Sequence, residues 1–178
     1  MTFLRFICLL LLFVSLHPAA QAEMLPVIDV REEGTAWRVR VEATFPASAN
    51  QIWSILTDCA RATTFVPHLE SCRILDKDPA ARWDVRENIV NPPLLPRMRT
   101  IVRSDYRSPS SFTYKLVSGD MHRSEGAWSL TPHAGGTRVV YLALIEPSLP
   151  APGFLVANAI KADLPEMFRK LDALTRAP

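Results

Sequence analysis

Cysteine and histidine are scarce, with three of the first and four of the second in 178 residues. They are scattered without the spacing that a zinc site needs, so no metal is expected. Charge of one sign is missing too. Lys and Arg total 20 against 18 Asp and Glu, a formal net charge of +2. The charges are mixed along the chain with no basic block, which argues against nucleic acid as a partner. No phosphate loop, nucleophile elbow or His-Glu-x-x-His occurs. The motifs that announce nucleotide, acyl-transfer or zinc-hydrolase chemistry are therefore lacking, and no cofactor is expected. Repeats and low-complexity segments are absent, and long apolar runs are confined to one, FICLLLLFVSL at 6–16.

That run reads as an export signal. Arg5 gives a positive start, the run has the length of a signal-peptide core, and Ala20-Gln21-Ala22 supplies the small-x-small pattern that a signal peptidase reads. It is shorter than the roughly 20 apolar residues that cross a bilayer. Residues 1–22 are thus expected to be cleaved between Ala22 and Glu23, leaving 23–178 as one periplasmic or secreted domain; an uncleaved anchor is the alternative. Cys8 lies inside the run and not at its end, which argues against a lipoprotein. The other two cysteines, Cys59 and Cys72, could pair in an oxidising compartment or be two small buried residues. Sequence does not place their Cα atoms, so both readings stay open.

Periodicity then supplies the elements. Over 37–45, Trp37, Val39, Val41, Ala43 and Phe45 alternate with Arg38, Arg40, Glu42 and Thr44, the pattern of a strand with one buried face. Ser48 is placed to cap a helix carrying Ile52, Trp53, Ile55 and Leu56, and a second short helix or turn covers 60–65 before Pro67. Six more strands are expected at 71–75, 83–90, 97–106, around Phe112, Tyr114 and Leu116, at 121–130 and at 137–145. A long helix is expected over 153–174, its stripe running through Val156, Ile160, Leu164, Met167, Leu171 and Leu174 and keeping phase across Pro165. The order predicts an α+β fold in which about seven antiparallel strands curl around the last helix and enclose a space suited to a ligand.

Four segments resemble the START-like, or SRPBCC, superfamily, in the branch of the polyketide cyclase/dehydrase and coenzyme Q-binding proteins. They are Trp53, Leu56 and Asp58 followed by Phe65 and Pro67; Glu125-Gly126-Ala127-Trp128-Ser129-Leu130; Gly136-Thr137-Arg138 leading to Tyr141; and 161–167 in the last helix. The resemblance implies a helix-grip fold with a cavity for a hydrophobic or amphipathic molecule, and a binding or carrier role without catalysis. An isoprenoid, a quinone, a sterol-like molecule and an acyl chain fit equally well. The cyclase/dehydrase side of the family implies the alternative, an enzyme using His122 as acid or base.

Three loops are expected to meet at the cavity entrance, as they do in similar helix-grip proteins. The first, 91–96, carries Leu94 and Leu95 between prolines, with Arg97 and Arg99 behind; its apolar tip is read either as a gate that dips into a lipid surface or as a stiff turn folded onto the core. The second, 118–122, ends at His122, whose strand parity would place it on the face of Trp128 and Leu130. The third, 146–154, ends at Phe154. Tyr114 and Tyr141 are candidate donors to a ligand, with packing as the other reading of both. Phe65, Val66, Leu155, Ile160, Leu164 and Met167 complete the expected lining, with ordinary core packing as the other reading of each.

Overall fold

A computed structural model describes residues 25–148 and 152–176. The expected signal peptide, its cut after Ala22 and the 149–151 part of the third loop lie outside the described residues. Among the described residues no helix is long and apolar enough to cross a membrane.

The chain runs β1 (Val27–Glu33), β2 (Ala36–Phe45), α1 (Ala49–Leu56), α2 (Cys59–Phe65), β3 (Leu69–Lys77), β4 (Trp83–Val90), β5 (Met98–Arg107), β6 (Ser111–Gly119), β7 (Met121–His133), β8 (Gly136–Pro147) and α3 (Gly153–Arg176). All eight strands form one antiparallel sheet in the order β1-β2-β8-β7-β6-β5-β4-β3. The α+β fold is the one expected, with one strand more than the seven anticipated. The extra strand, β1, is an edge strand paired only with β2, and its residues are exposed or half-buried. Without a dry face it leaves no clear alternation in the sequence.

Short-range chemistry sets the helix boundaries. The Ser48 hydroxyl accepts from the Gln51 backbone N–H, while the Gln51 side chain accepts from the Ser48 N–H at 3.0 Å. Two otherwise orphaned donors at the start of α1 are thereby satisfied. Asp58 caps α2 in the same sense, taking the Ala60 N–H at 2.9 Å. α3 holds its course through Pro165 because its apolar face, Leu164, Met167, Phe168 and Leu171, stays buried on both sides of the proline. That face packs on the inner side of the sheet, with Phe168 against Phe45 of β2 and Trp128 of β7. Val39, Val41 and Phe45 are fully buried beneath it, as the alternation in β2 requires, and so is Val139 of β8.

Cys59 at the start of α2 and Cys72 on β3 are joined in a disulfide with Cα atoms 5.4 Å apart. The bond ties the short helix to the edge strand it packs on. The loop it closes is short, so in the chain-entropy view its removal costs about 2–3 kcal/mol. Cys59→Ser with Cys72→Ser is expected to lower Tm by several degrees in calorimetry, and an unchanged Tm would show that packing alone holds α2.

Candidate ligand-binding site

A cavity of about 370 Å³ lies between the inner face of the sheet and helices α2 and α3. Its size is within the range of small-molecule sites. Phe65 and Val66 border it from the end of α2, Met167 from α3, and Phe112, Trp128 and Val102 from the sheet. Trp128 anchors this wall, stacked on Tyr141 at 4.3 Å between ring centroids and on Phe168 at 5.7 Å.

Two polar groups interrupt the apolar wall. Tyr114 and Tyr141, on β6 and β8, bring their hydroxyls to 2.8 Å across the glycine of β7 that separates them. Gly126 is required there: a Cβ would lie 2.4 Å from the Leu142 carbonyl oxygen and 2.7 Å from the Tyr114 ring. Burial raises the pKa of both phenols, and the neighbouring Tyr141 pushes Tyr114 further. Both are therefore neutral O–H donors at any physiological pH.

The second group is a buried ion pair. Arg86 of β4 borders the cavity and is 8% exposed, as is Asp84 two residues before it. Arg86 Nε donates to Asp84 Oδ1 at 3.0 Å and its Nη2 to Asp84 Oδ2; Nη2 also donates to the Thr57 carbonyl oxygen at 3.2 Å and to the Tyr106 hydroxyl at 2.5 Å. Tyr106 in turn donates to Asp84 Oδ2 at 2.7 Å. Burial alone would lower the Arg86 pKa, but the Asp84 hydrogen bond and charge, helped by Tyr106, reverse it and the net shift is upward. Asn88, Thr100 and Ser124 add further polar atoms to the wall.

Of the lining residues expected from the sequence, Phe65, Val66, Tyr114 and Met167 border this space. The others do not. Leu164 is buried in the main core, and Ile160 packs where that core meets a smaller cluster around Trp37 and Val156. Leu155 is half-buried in the first turn of α3 and Phe154 is 64% exposed. Leu94 is 87% exposed, because Pro93 and Leu94 form the centre of a turn closed by the Leu95 N–H and the Pro92 carbonyl oxygen at 3.4 Å. Leu95 is half-buried beside it.

His122 departs most from expectation. Its parity with Trp128 and Leu130 assumed an unbroken strand. The ladder slips between Met121, opposite Pro147, and Arg123, opposite Glu146. The bulge resets the alternation. Met121 and Ser124 border the cavity, while His122 is exposed in a separate, smaller depression with Lys115 and Glu125.

Arg86, Asp84 and Tyr106 were not singled out from the sequence. The signal was present in 83–90, where one phase reads Trp83, Val85, Glu87, Ile89 and the other Asp84, Arg86, Asn88, Val90. The more polar phase faces inward, and Trp83 lies outside under the Arg103 guanidinium at 4.4 Å. Apolar residues are ordinarily inside, so the inversion marks a wall adapted to something other than packing.

A second depression, about 800 Å³ and more open, crosses the outer face of the sheet. Its arginines are paired with neighbouring carboxylates, Arg31 with Asp29, Arg38 with Glu33, Arg40 with Glu42 and Arg123 with Glu125. It reads as a solvated face, and the inner cavity, with its buried donors, is the candidate site.

Comparison with known proteins gives the same frame. Residues 45–172 match the family model described as polyketide cyclase/dehydrase and lipid transport. No curated protein matches the chain. Among solved structures, the STAR-related lipid transfer protein of Xanthomonas axonopodis is similar with a TM-score of 0.71 and 16% identity, over 88% of this chain and 96% of that one. A START superfamily protein of Mycobacterium smegmatis aligns with a TM-score of 0.64 and 22% identity, over 79% and 96%. The Zhui aromatase/cyclase of Streptomyces sp. R1128 aligns with a TM-score of 0.65 and 16% identity, over 79% and 94%.

Proposed function

This chain belongs to the polyketide cyclase/dehydrase and lipid transport family, and on that premise we propose that it is an exported, non-catalytic carrier of a hydrophobic small molecule or lipid. The observation that carries the reading is the apolar cavity under α3 with its few buried polar groups. Export rests on the signal-peptide pattern of residues 1–22 and places the carrier in the periplasm or outside the cell. Native mass spectrometry of the protein purified from an exporting host, with identification of its solvent extract, tests the proposal. A stoichiometric apolar species is expected. A protein that stays empty when offered lipids and quinones would end the carrier reading.

The β4–β5 loop supplies a route to a membrane. Leu94 has φ 63° and is almost fully exposed. A leucine in the left-handed region costs on the order of 1 kcal/mol more than glycine would. Burying that one side chain in a lipid surface would contribute about 1.5–3 kcal/mol and offset the strain. Arg97 and Arg99 are bonded to Glu70 at 2.7 Å and Glu87 at 2.6 Å, so the leucines, more than the arginines, carry the contact. Leu94→Ser with Leu95→Ser is expected to weaken co-sedimentation with phosphatidylglycerol vesicles about tenfold or more while Tm holds. Unchanged sedimentation would remove the loop from the proposal.

A second reading, a cyclase- or dehydrase-type enzyme, is supported by the likeness to the Streptomyces aromatase/cyclase. With His122 outside the cavity, such an enzyme would work through Tyr114, Tyr141 or Arg86. Turnover of a polyketide-like carbonyl substrate that is lost in Tyr114→Phe would favour it.

A further inference from the structure

An arginine on the wall of an apolar cavity suggests a carboxylate ligand, but here the charge is already matched. Both Asp84 oxygens are engaged by Arg86, and Tyr106 and the Thr57 carbonyl oxygen complete the set. The pair is buried and carries no net charge. A second carboxylate entering beside it would leave one uncompensated negative charge out of water, a situation proteins avoid. The tyrosine pair makes the opposite demand. Two phenol protons serve the Tyr114–Tyr141 contact, and one suffices for it. Among the described residues the second proton has no protein acceptor, and both side chains border the cavity. A buried donor without an acceptor is unfavourable, and a ligand oxygen would relieve it.

We infer that the cavity selects an apolar molecule bearing a neutral oxygen acceptor, a ketone or quinone carbonyl, held by the Tyr114–Tyr141 hydroxyls, and rejects carboxylates of the same length because Asp84 has neutralised Arg86. The inference rests on the carrier reading and narrows it to a ligand class. The raised pKa values of Tyr114 and Tyr141 keep both as donors.

The test is calorimetric titration at neutral pH with three probes matched in carbon number: methyl undecyl ketone, tridecanoate and tridecane. The ketone is expected to bind about tenfold tighter than tridecanoate and measurably tighter than tridecane. In Asp84→Asn the arginine loses its counter-charge, and tridecanoate is expected to gain about tenfold and draw level with the ketone. Tyr114→Phe with Tyr141→Phe is expected to erase the ketone's advantage over tridecane; the single variants would not, since one remaining hydroxyl can still donate. If Asp84→Asn does not fold, the double tyrosine variant decides, and a retained ketone advantage overturns the inference. Tridecanoate binding the wild-type protein as tightly as the ketone overturns it as well, with the carrier reading intact. Binding of none of the three to the folded protein overturns both.

Discussion

Phe168→Ala is expected to cost about 3–5 kcal/mol, the range for removing a fully buried phenylalanine, and to lower Tm by roughly 10 °C. Phe168 has no exposed surface and sits between Phe45 at 6.1 Å and Trp128 at 5.7 Å. It is the point at which α3 is pinned to both β2 and β7. Truncation opens a void the sheet cannot close, since Val39, Val41 and Val139 are held in ladders. The void adjoins Trp128, a wall of the cavity, so ligand retention is expected to suffer along with stability. Denaturant titration with calorimetry gives the number, and a loss under about 1 kcal/mol would mean that α3 is held elsewhere.

Gly126→Ala is the second large effect, expected near 4 kcal/mol, above the usual cost of overpacking. Most added methyls meet a side chain that can move. This one meets the Leu142 carbonyl oxygen of the paired strand at 2.4 Å, and the Tyr114 ring fixed by its bond to Tyr141. The aromatic ring covering a strand glycine is a recurrent device in sheets, and here it also aims a hydroxyl into the cavity. Loss of stability equal to that of an exposed strand position would show that β7 and β8 can part locally.

Much of the frame was legible because it follows from period-two burial. The alternation at 37–45 gives β2, and Ser48 as a cap gives the start of α1. The stripe of α3 was legible too, except that Phe168, next to Met167, is its most deeply buried aromatic. The site was harder. Phe65, Val66, Tyr114 and Met167 could be reached by analogy of position, whereas His122 could not, because a bulge is a property of the ladder and leaves no mark on one strand's sequence. Arg86 was hidden by a sound rule: charged residues are read as the wet phase of a strand, and only the partner Asp84 and the cover of Tyr106 make the inward phase tolerable.

The strand order sets a timetable for the newborn chain. β3 to β7 form successive hairpins and can zip as they leave the ribosome. β2 waits, since its partner on the core side is β8, with Phe45 opposite Thr137 and Trp37 opposite Ile145. Until nearly all of the chain has been made, the most deeply buried of the described strands has no permanent neighbour there, and the helix that covers it comes later still. Such long-range closure slows folding. It also leaves the closing of the core, and of the cavity under α3, to the last part of the chain to be made.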